Sequence, residues 1–183
     1  MKPRIFIFST GEATTDLCKW ALERYGWEPI LWQDKTLLWE KLKRFYNEPG
    51  EVLYRVDADI IPTKNSIKMT ELSFRKTWFW QSAGWSLYNH DLGPISLTAM
   101  HRKAIDIAKK HIDKAQNELR PETYIWRLPE FYNPRVCRIT DIVAGIHGYG
   151  QNDRDYERIR VMKALRNQEE NYDWKLVDKM RAL

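Results

Sequence analysis

Two aspartates one residue apart, Asp57-Ala58-Asp59, sit in the segment that runs from Glu51 to Pro62, EVLYRVDADIIP. Carboxylates are the oxygen donors that hard divalent cations such as Mg²⁺ or Mn²⁺ prefer, and the same cations bridge phosphate oxygens. An Asp-x-Asp step therefore suits a site that holds a metal–diphosphate. The plainer alternative is a turn, with Asp59 as a cap and Asp57 paired to an arginine. Arg55 lies two residues before Asp57, so on a strand the two side chains share a face and an ion pair is expected. With 12 Asp in the chain, about one such pair arises by chance, so context must decide. A second pair, Asp153-Arg154-Asp155, opens an amphipathic stretch where acids cap a helix and favour its dipole.

The context of the first pair is a strand end. Pro3–Ser9 is a short apolar run bounded by Pro and Gly, the pattern of a strand covered on both faces. Thr15-Asp16 can cap a helix carrying Leu17, Trp20, Ala21 and Tyr25, stopped at Gly26. Ile30–Trp32 is a second strand. Thr36 can cap a second helix with Leu38, Leu42, Phe45 and Tyr46 along one side, ended by Pro49-Gly50, and Val52–Val56 is a third strand. This β-α-β-α-β order predicts parallel strands flanked by helices, and in such sheets the ligand crevice lies at the carboxyl ends of the strands.

Further on, Thr77–Tyr88 suggests one or two strands around Gly84. Met100, Ala104, Ile107, Ala108, Ile112 and Ala115 make a 3.6-period stripe on a long helix that would include His101 and His111. Val136–Ile146 reads as a late strand running into His147-Gly148-Tyr149-Gly150. A helix with Tyr156, Ile159, Met162 and Leu165 follows, and Trp174–Met180 closes the chain. The expected fold class is α/β: one domain with a mainly parallel central sheet, helices on both faces and a helical C-terminal tail. Its parts would be a nucleotide-binding half (1–62), an acceptor and metal half (63–150) and the tail (151–183).

Composition narrows the setting. At 183 residues with 43% hydrophobic and 30% charged residues, the chain can build a core and lacks the signature of disorder. No apolar run approaches the ~18 residues of a membrane helix, and no signal peptide is recognisable, which predicts a cytoplasmic protein. Two cysteines, Cys18 and Cys137, make neither a disulfide framework nor a cysteine zinc site. Thirty Lys and Arg against 25 Asp and Glu give a net charge of +5, mostly between residues 35 and 120. That balance favours an anionic partner. Nine Trp and nine Tyr supply core, and some could line a groove that stacks a base or sugar.

Arg-Val-Asp-Ala-Asp-Ile-Ile-Pro after a third strand resembles the Asp-x-Asp motif of GT-A-fold, nucleotide-sugar-dependent glycosyltransferases. The resemblance extends to Ser9-Thr10-Gly11 after the first strand, to Pro121-Glu122-Thr123-Tyr124-Ile125-Trp126-Arg127-Leu128 as a late acidic motif, and to His147 at the end of a late strand. It implies a Mn²⁺ or Mg²⁺ ion held by Asp57, Asp59 and His147. Ser9, Thr10, Asp34, Arg55, Ala58 and Arg154 would form the nucleotide side, with Asp34 at the nucleobase edge and Arg154 on a phosphate. Glu122 would act as general base, or orient the acceptor. The implied substrates are a nucleoside-diphosphate sugar, a UDP-sugar foremost, and an acceptor that could be DNA.

Two other functions compete. A sugar nucleotidyltransferase uses a related sheet, but its glycine-rich, basic loop after the first strand is matched here only by Thr10-Gly11-Glu12-Ala13-Thr14. A non-enzymatic nucleic-acid-binding module would explain the charge but not acids at a strand end, which repel phosphates unless a cation intervenes.

Overall fold

A computed structural model describes residues 4–66, 78–87, 91–118, 120–132 and 137–148. These lie within the first of two units, Met1–Tyr149; the second, Gly150–Leu183, falls outside them, and so do the predicted C-terminal helices. The opening follows the expected alternation: β1 (Arg4–Ser9), α1 (Thr15–Arg24), β2 (Ile30–Gln33), α2 (Leu38–Asn47) and β3 (Val52–Asp57). After β4 (Ile60–Pro62) come β5 (Phe79–Ser86), β6 (Asp91–His101), α3 (Arg102–His111), a 3-10 turn over Ile112–Ala115, α4 (Pro121–Trp126) and β7 (Cys137–His147).

The sheet is mixed, which corrects the expectation of mainly parallel strands. Its order is β2-β1-β3-β6-β5-β7-β4. β1 pairs parallel with β2 and β3, and β5 with β7, whereas β3–β6, β5–β6 and β4–β7 are antiparallel. The unexpected element is β6. Met100 had fitted the helical stripe, but it ends a strand, and the helix starts only at Arg102; His101 is its N-cap, accepting from the Lys103 amide.

The order also demands curvature. β3 and β4 stand four places apart in the sheet, a separation of about 19 Å if it were flat. Only Ala58 and Asp59 join them, and such a link spans at most about 11 Å. The sheet must curl until β4 returns towards β3, and the mouth of that curl is lined by Asp57, Asp59 and His147.

Two cores cover the two faces. Phe6, Phe8, Trp32, Leu53, Phe79 and Met100 meet α2, α3 and α4 through Leu42, Phe45, Tyr46, Ala104, Ile105, Ala108 and Ile125. On the other face, Ile5, Ile7, Val56, Ile60, Ile95 and Leu97 meet Cys18 and Leu22 of α1. The buried face of α1 is thus Cys18, Ala21 and Leu22, and the predicted inward Trp20 is 53% exposed. α2 begins after Leu37; Thr36 does not cap it but donates its amide to Asp34 in a turn. Near the mouth the strands approach so closely that no side chain fits between them. A Cβ at Gly84 would meet Ile95 at 2.5 Å, and one at Gly145 would meet Ile60 at 2.9 Å.

Candidate active site

β3 ends in Asp57, and its outcome is set by Arg55 beneath it. Arg55 is 2% exposed and approaches the carboxylate with two nitrogens, Nη2 to Oδ2 and Nε to Oδ1, both at 3.3 Å. Its guanidinium also lies 5.5 Å from the centre of the Phe8 ring. Ser96 of β6 hydrogen-bonds the same carboxylate. Burial pushes the Asp57 carboxyl above its ordinary range; Arg55 pulls it down, and neighbouring Asp59 adds to the rise. Glu122 belongs to this cluster. It is 6% exposed, with Oε1 3.6 Å from Arg120 and Oε2 without a hydrogen-bond partner, and its charge reaches Arg55, Asp57 and Tyr46.

Asp59 has a different neighbour. Pairing of Ile60 with His147 in β4–β7 sets the histidine beside the turn, and Asp59 Oδ2 lies 3.0 Å from His147 Nε2. The Gly148 amide donates to the Asp59 carbonyl at 3.1 Å. Both side chains are partly open, at 21% and 25% exposed. An aspartate oxygen and an imidazole nitrogen are donors that Mn²⁺ accepts, so this pair fits a cation. Among the described residues no group of three or more His, Cys, Asp or Glu is placed to hold a metal. A cation here must complete its shell with ligands from outside these side chains, such as diphosphate oxygens and water. The three expected protein ligands are therefore divided: Asp57 is held by Arg55, while Asp59 and His147 stand together.

The loop after β1 is closed on itself. Glu12 accepts from the Ser9 hydroxyl at 2.7 Å, the Thr10 amide at 2.8 Å and the Thr10 hydroxyl at 2.7 Å. The Gly11 amide, at φ +104°, donates to Ser9 Oγ at 2.9 Å, and Thr15 Oγ1 lies 2.8 Å from the same oxygen. Ser9 is buried and Thr10 exposed. Ala58 is buried too: its amide donates to the Phe8 carbonyl and its carbonyl accepts from the Thr14 hydroxyl. Of the expected nucleotide contacts, then, Ser9, Ala58 and Arg55 are structural supports, and Thr10 and Asp34 face outward. Arg154 lies outside the described residues, as does His90.

Sequence reasoning overlooked Lys41. It is 4% exposed, and its Nζ donates to the Ser9 carbonyl and the Asp34 carbonyl, each at 2.7 Å, with Asp34 Oδ1 at 3.2 Å. One buried ammonium thus ties the carboxyl ends of β1 and β2. The Thr36 hydroxyl foremost, with the Thr36 amide and Lys41, holds the Asp34 carboxyl below its usual range. The available signal was a lysine on the apolar side of α2, next to Leu42 and one turn from Phe45. Glu12, three residues after Ser9, was the other omission.

No family model and no curated protein sequence matches the chain. Solved structures share its fold. A protein from STIV aligns with TM-score 0.56 and 12% identity over 76% of this chain and 82% of its own. A glycosyltransferase involved in the glycosylation of the major capsid of PBCV-1 gives 0.54 and 11% over 87% and 98%. The 4-diphosphocytidyl-2C-methyl-D-erythritol synthase of Anaerococcus prevotii gives 0.54 and 10% over 85% and 94%. This α/β fold is one that a glycosyltransferase and a diphosphocytidyl-compound synthase also use. No helix among the described residues is long and apolar enough to cross a membrane.

Proposed function

We propose that the protein is a metal-dependent glycosyltransferase moving a sugar from a nucleoside-diphosphate sugar, foremost a UDP-sugar, to an acceptor hydroxyl. The observation that carries this reading is the meeting of Asp59 and His147 at 3.0 Å in the mouth of the curled sheet. Asp59 and His147 would hold Mn²⁺ or Mg²⁺, which when bound supplies Lewis-acid stabilisation of the departing diphosphate. Asp57, fixed by Arg55, would add a second carboxylate beside the pair that would hold the cation. Thr10 and the ionised Asp34 face the nucleoside, over a floor built by Ser9, Ala58 and Arg55. Glu122 retains one unpartnered oxygen; in an inverting transfer it takes the acceptor proton as the hydroxyl attacks the anomeric carbon.

The nucleotidyltransferase alternative has a fold relative in its favour. The β1–α1 loop tells against it, because the Thr10 and Gly11 amides are spent on Glu12 and Ser9 rather than offered to a phosphate. The experiment is thermal melting with UDP and Mn²⁺. Saturation about 100-fold above Kd adds about 2.7 kcal/mol, a rise of a few degrees. That rise should vanish with EDTA, in Asp59→Ala and in His147→Ala. A rise that survives EDTA overturns the metal bridge, and no rise with any nucleoside diphosphate overturns the donor.

A further inference from the structure

We infer that the outer face formed by α2, α3 and the following 3-10 turn is a docking surface for the phosphate backbone of a nucleic-acid duplex. The inference stands on charge and is independent of the transferase reading. Residues 38–47 and 102–115 carry eight Lys and Arg and three Asp and Glu, an excess of five. The whole chain has a net charge of +5, so its other 22 basic residues are matched by 22 acidic ones. Lys41 is buried and Arg102 is spent on backbone carbonyls, which leaves six exposed basic residues on this face, Lys43, Arg44, Lys103, Lys109, Lys110 and Lys114, against three exposed acids, Glu40, Asp106 and Asp113.

The helices are fixed side by side. Arg102 donates to the Glu48 and Gly50 carbonyls where α2 ends, and Lys43 pairs with Asp113 just beyond α3. Their apolar residues, among them Leu42, Phe45, Ala104, Ile105 and Ala108, are consumed by the core. Lys43, Arg44, Lys103, Lys109, Lys110 and Lys114 therefore point outward and are exposed. Among the described residues, Lys109, Lys110 and Lys114 make no ion pair. Helix stability accounts for part of this: Lys109 and Lys110 complement the dipole in the last turn of α3. It does not account for Lys103 in the first turn, where no acid is present and positive charge is unfavourable.

The same face decides among anionic partners. It has no exposed large apolar side chain to enter a lipid surface, since among the described residues the exposed large hydrophobics are Trp20, Leu37, Trp85 and Tyr132, of which Leu37 alone borders it, at the start of α2. Nor does it present bare rings for stacking unpaired bases. Arg44 lies 3.9 Å from the centre of buried Trp32, Lys103 4.8 Å from that of Trp78 and Lys43 5.9 Å from that of Trp39. Cations held over rings, spread along rigid helices, suit contact with phosphates, which positions a duplex without reading its sequence.

The test is fluorescence anisotropy of the full chain with short labelled DNA and RNA duplexes, without metal or nucleotide, over a salt series. Wild type should bind with a Kd of about 10⁻⁵ M near physiological salt, and log K should fall linearly with log salt. Lys109→Gln/Lys110→Gln/Lys114→Gln should flatten that slope by about 2.7, or 0.9 per lost phosphate contact. Lys19→Gln/Lys64→Gln, off this face, should leave the slope unchanged. Melting curves of both variants confirm that they fold. No duplex binding, equal loss in the control variant, tighter binding of a single strand, or salt-sensitive binding only to phosphatidylserine vesicles would each overturn the inference. Failure of the transferase reading would leave these measurements unaltered.

Discussion

Asp57 and Asp59 are one residue apart, yet they belong to different regions of the molecule. Asp57 turns onto Arg55, which is 2% exposed and lies close to buried Glu122, while its own side chain stays partly open at 31%. Asp59 turns to His147 at the open mouth of the sheet. Two identical side chains in one motif thus take different partners: one neutralises a guanidinium that the fold has buried, the other meets the imidazole of His147. What separates them is the chain direction after β3. Asp57 ends a central strand, and Asp59 begins the turn that carries the backbone to the sheet's far margin.

The contrast is broken most severely at Arg55. Arg55→Met should cost about 3 kcal/mol in denaturant unfolding, because it leaves the Asp57 and Glu122 carboxylates without their buried cation. Asp59→Asn, a change at a partly exposed pair, should cost under about 1 kcal/mol. Equal losses from the two variants would erase the distinction. Lys41→Met comes next. It strands the carbonyls of Ser9 and Asp34 and should cost about 2 kcal/mol, and it should weaken nucleotide affinity while leaving Mn²⁺ binding at Asp59 and His147 intact. Titration calorimetry with each ligand alone separates the two regions.

An effect that vanishes at neutral pH concerns Cys18, which is buried. Burial, with Asp57, Asp59 and Glu12 adding to it, pushes this thiol from 9.0 up to about 12. Above pH 9 the unfolded chain loses that proton while the folded chain keeps it, so stability falls with rising pH between 9 and about 12 and is unaffected below. Cys18→Ala should flatten that part of the melting profile. At neutral pH the native thiol should resist a disulfide reagent that modifies it promptly in denaturant.

Much of the first half was legible because its signals are local. The apolar run before Ser9, the 3.6-residue spacing of Leu38, Leu42, Phe45 and Tyr46, and the pair at the end of Val52–Asp57 need no tertiary knowledge. β6 was missed because Met100 lies four residues before Ala104 and passes for a helical neighbour, while Gly93-Pro94 interrupts the alternation of Ile95, Leu97 and Ala99. Strand direction in β5, β6 and β7 is a matter of long-range pairing, which periodicity does not encode. At the site, the adjacency of Asp59 and His147, 88 residues apart, depends on the Ile60–His147 register. Lys41 was passed over because a lysine on a helix is ordinarily solvated, and only the converging carbonyls of two strands explain its burial.

The curl that brings β4 back towards β3 also alters how the molecule meets its own copies. A sheet's margins are templates on which a second molecule can add a strand, and long, flat, hydrophobic margins seed aggregates. Here one margin is β4, three residues long and ending in Pro62; the other is β2, four residues long and preceded by Pro29. Among the described residues, a seven-stranded sheet thus leaves two short stubs, each punctuated by proline, on which self-association could start.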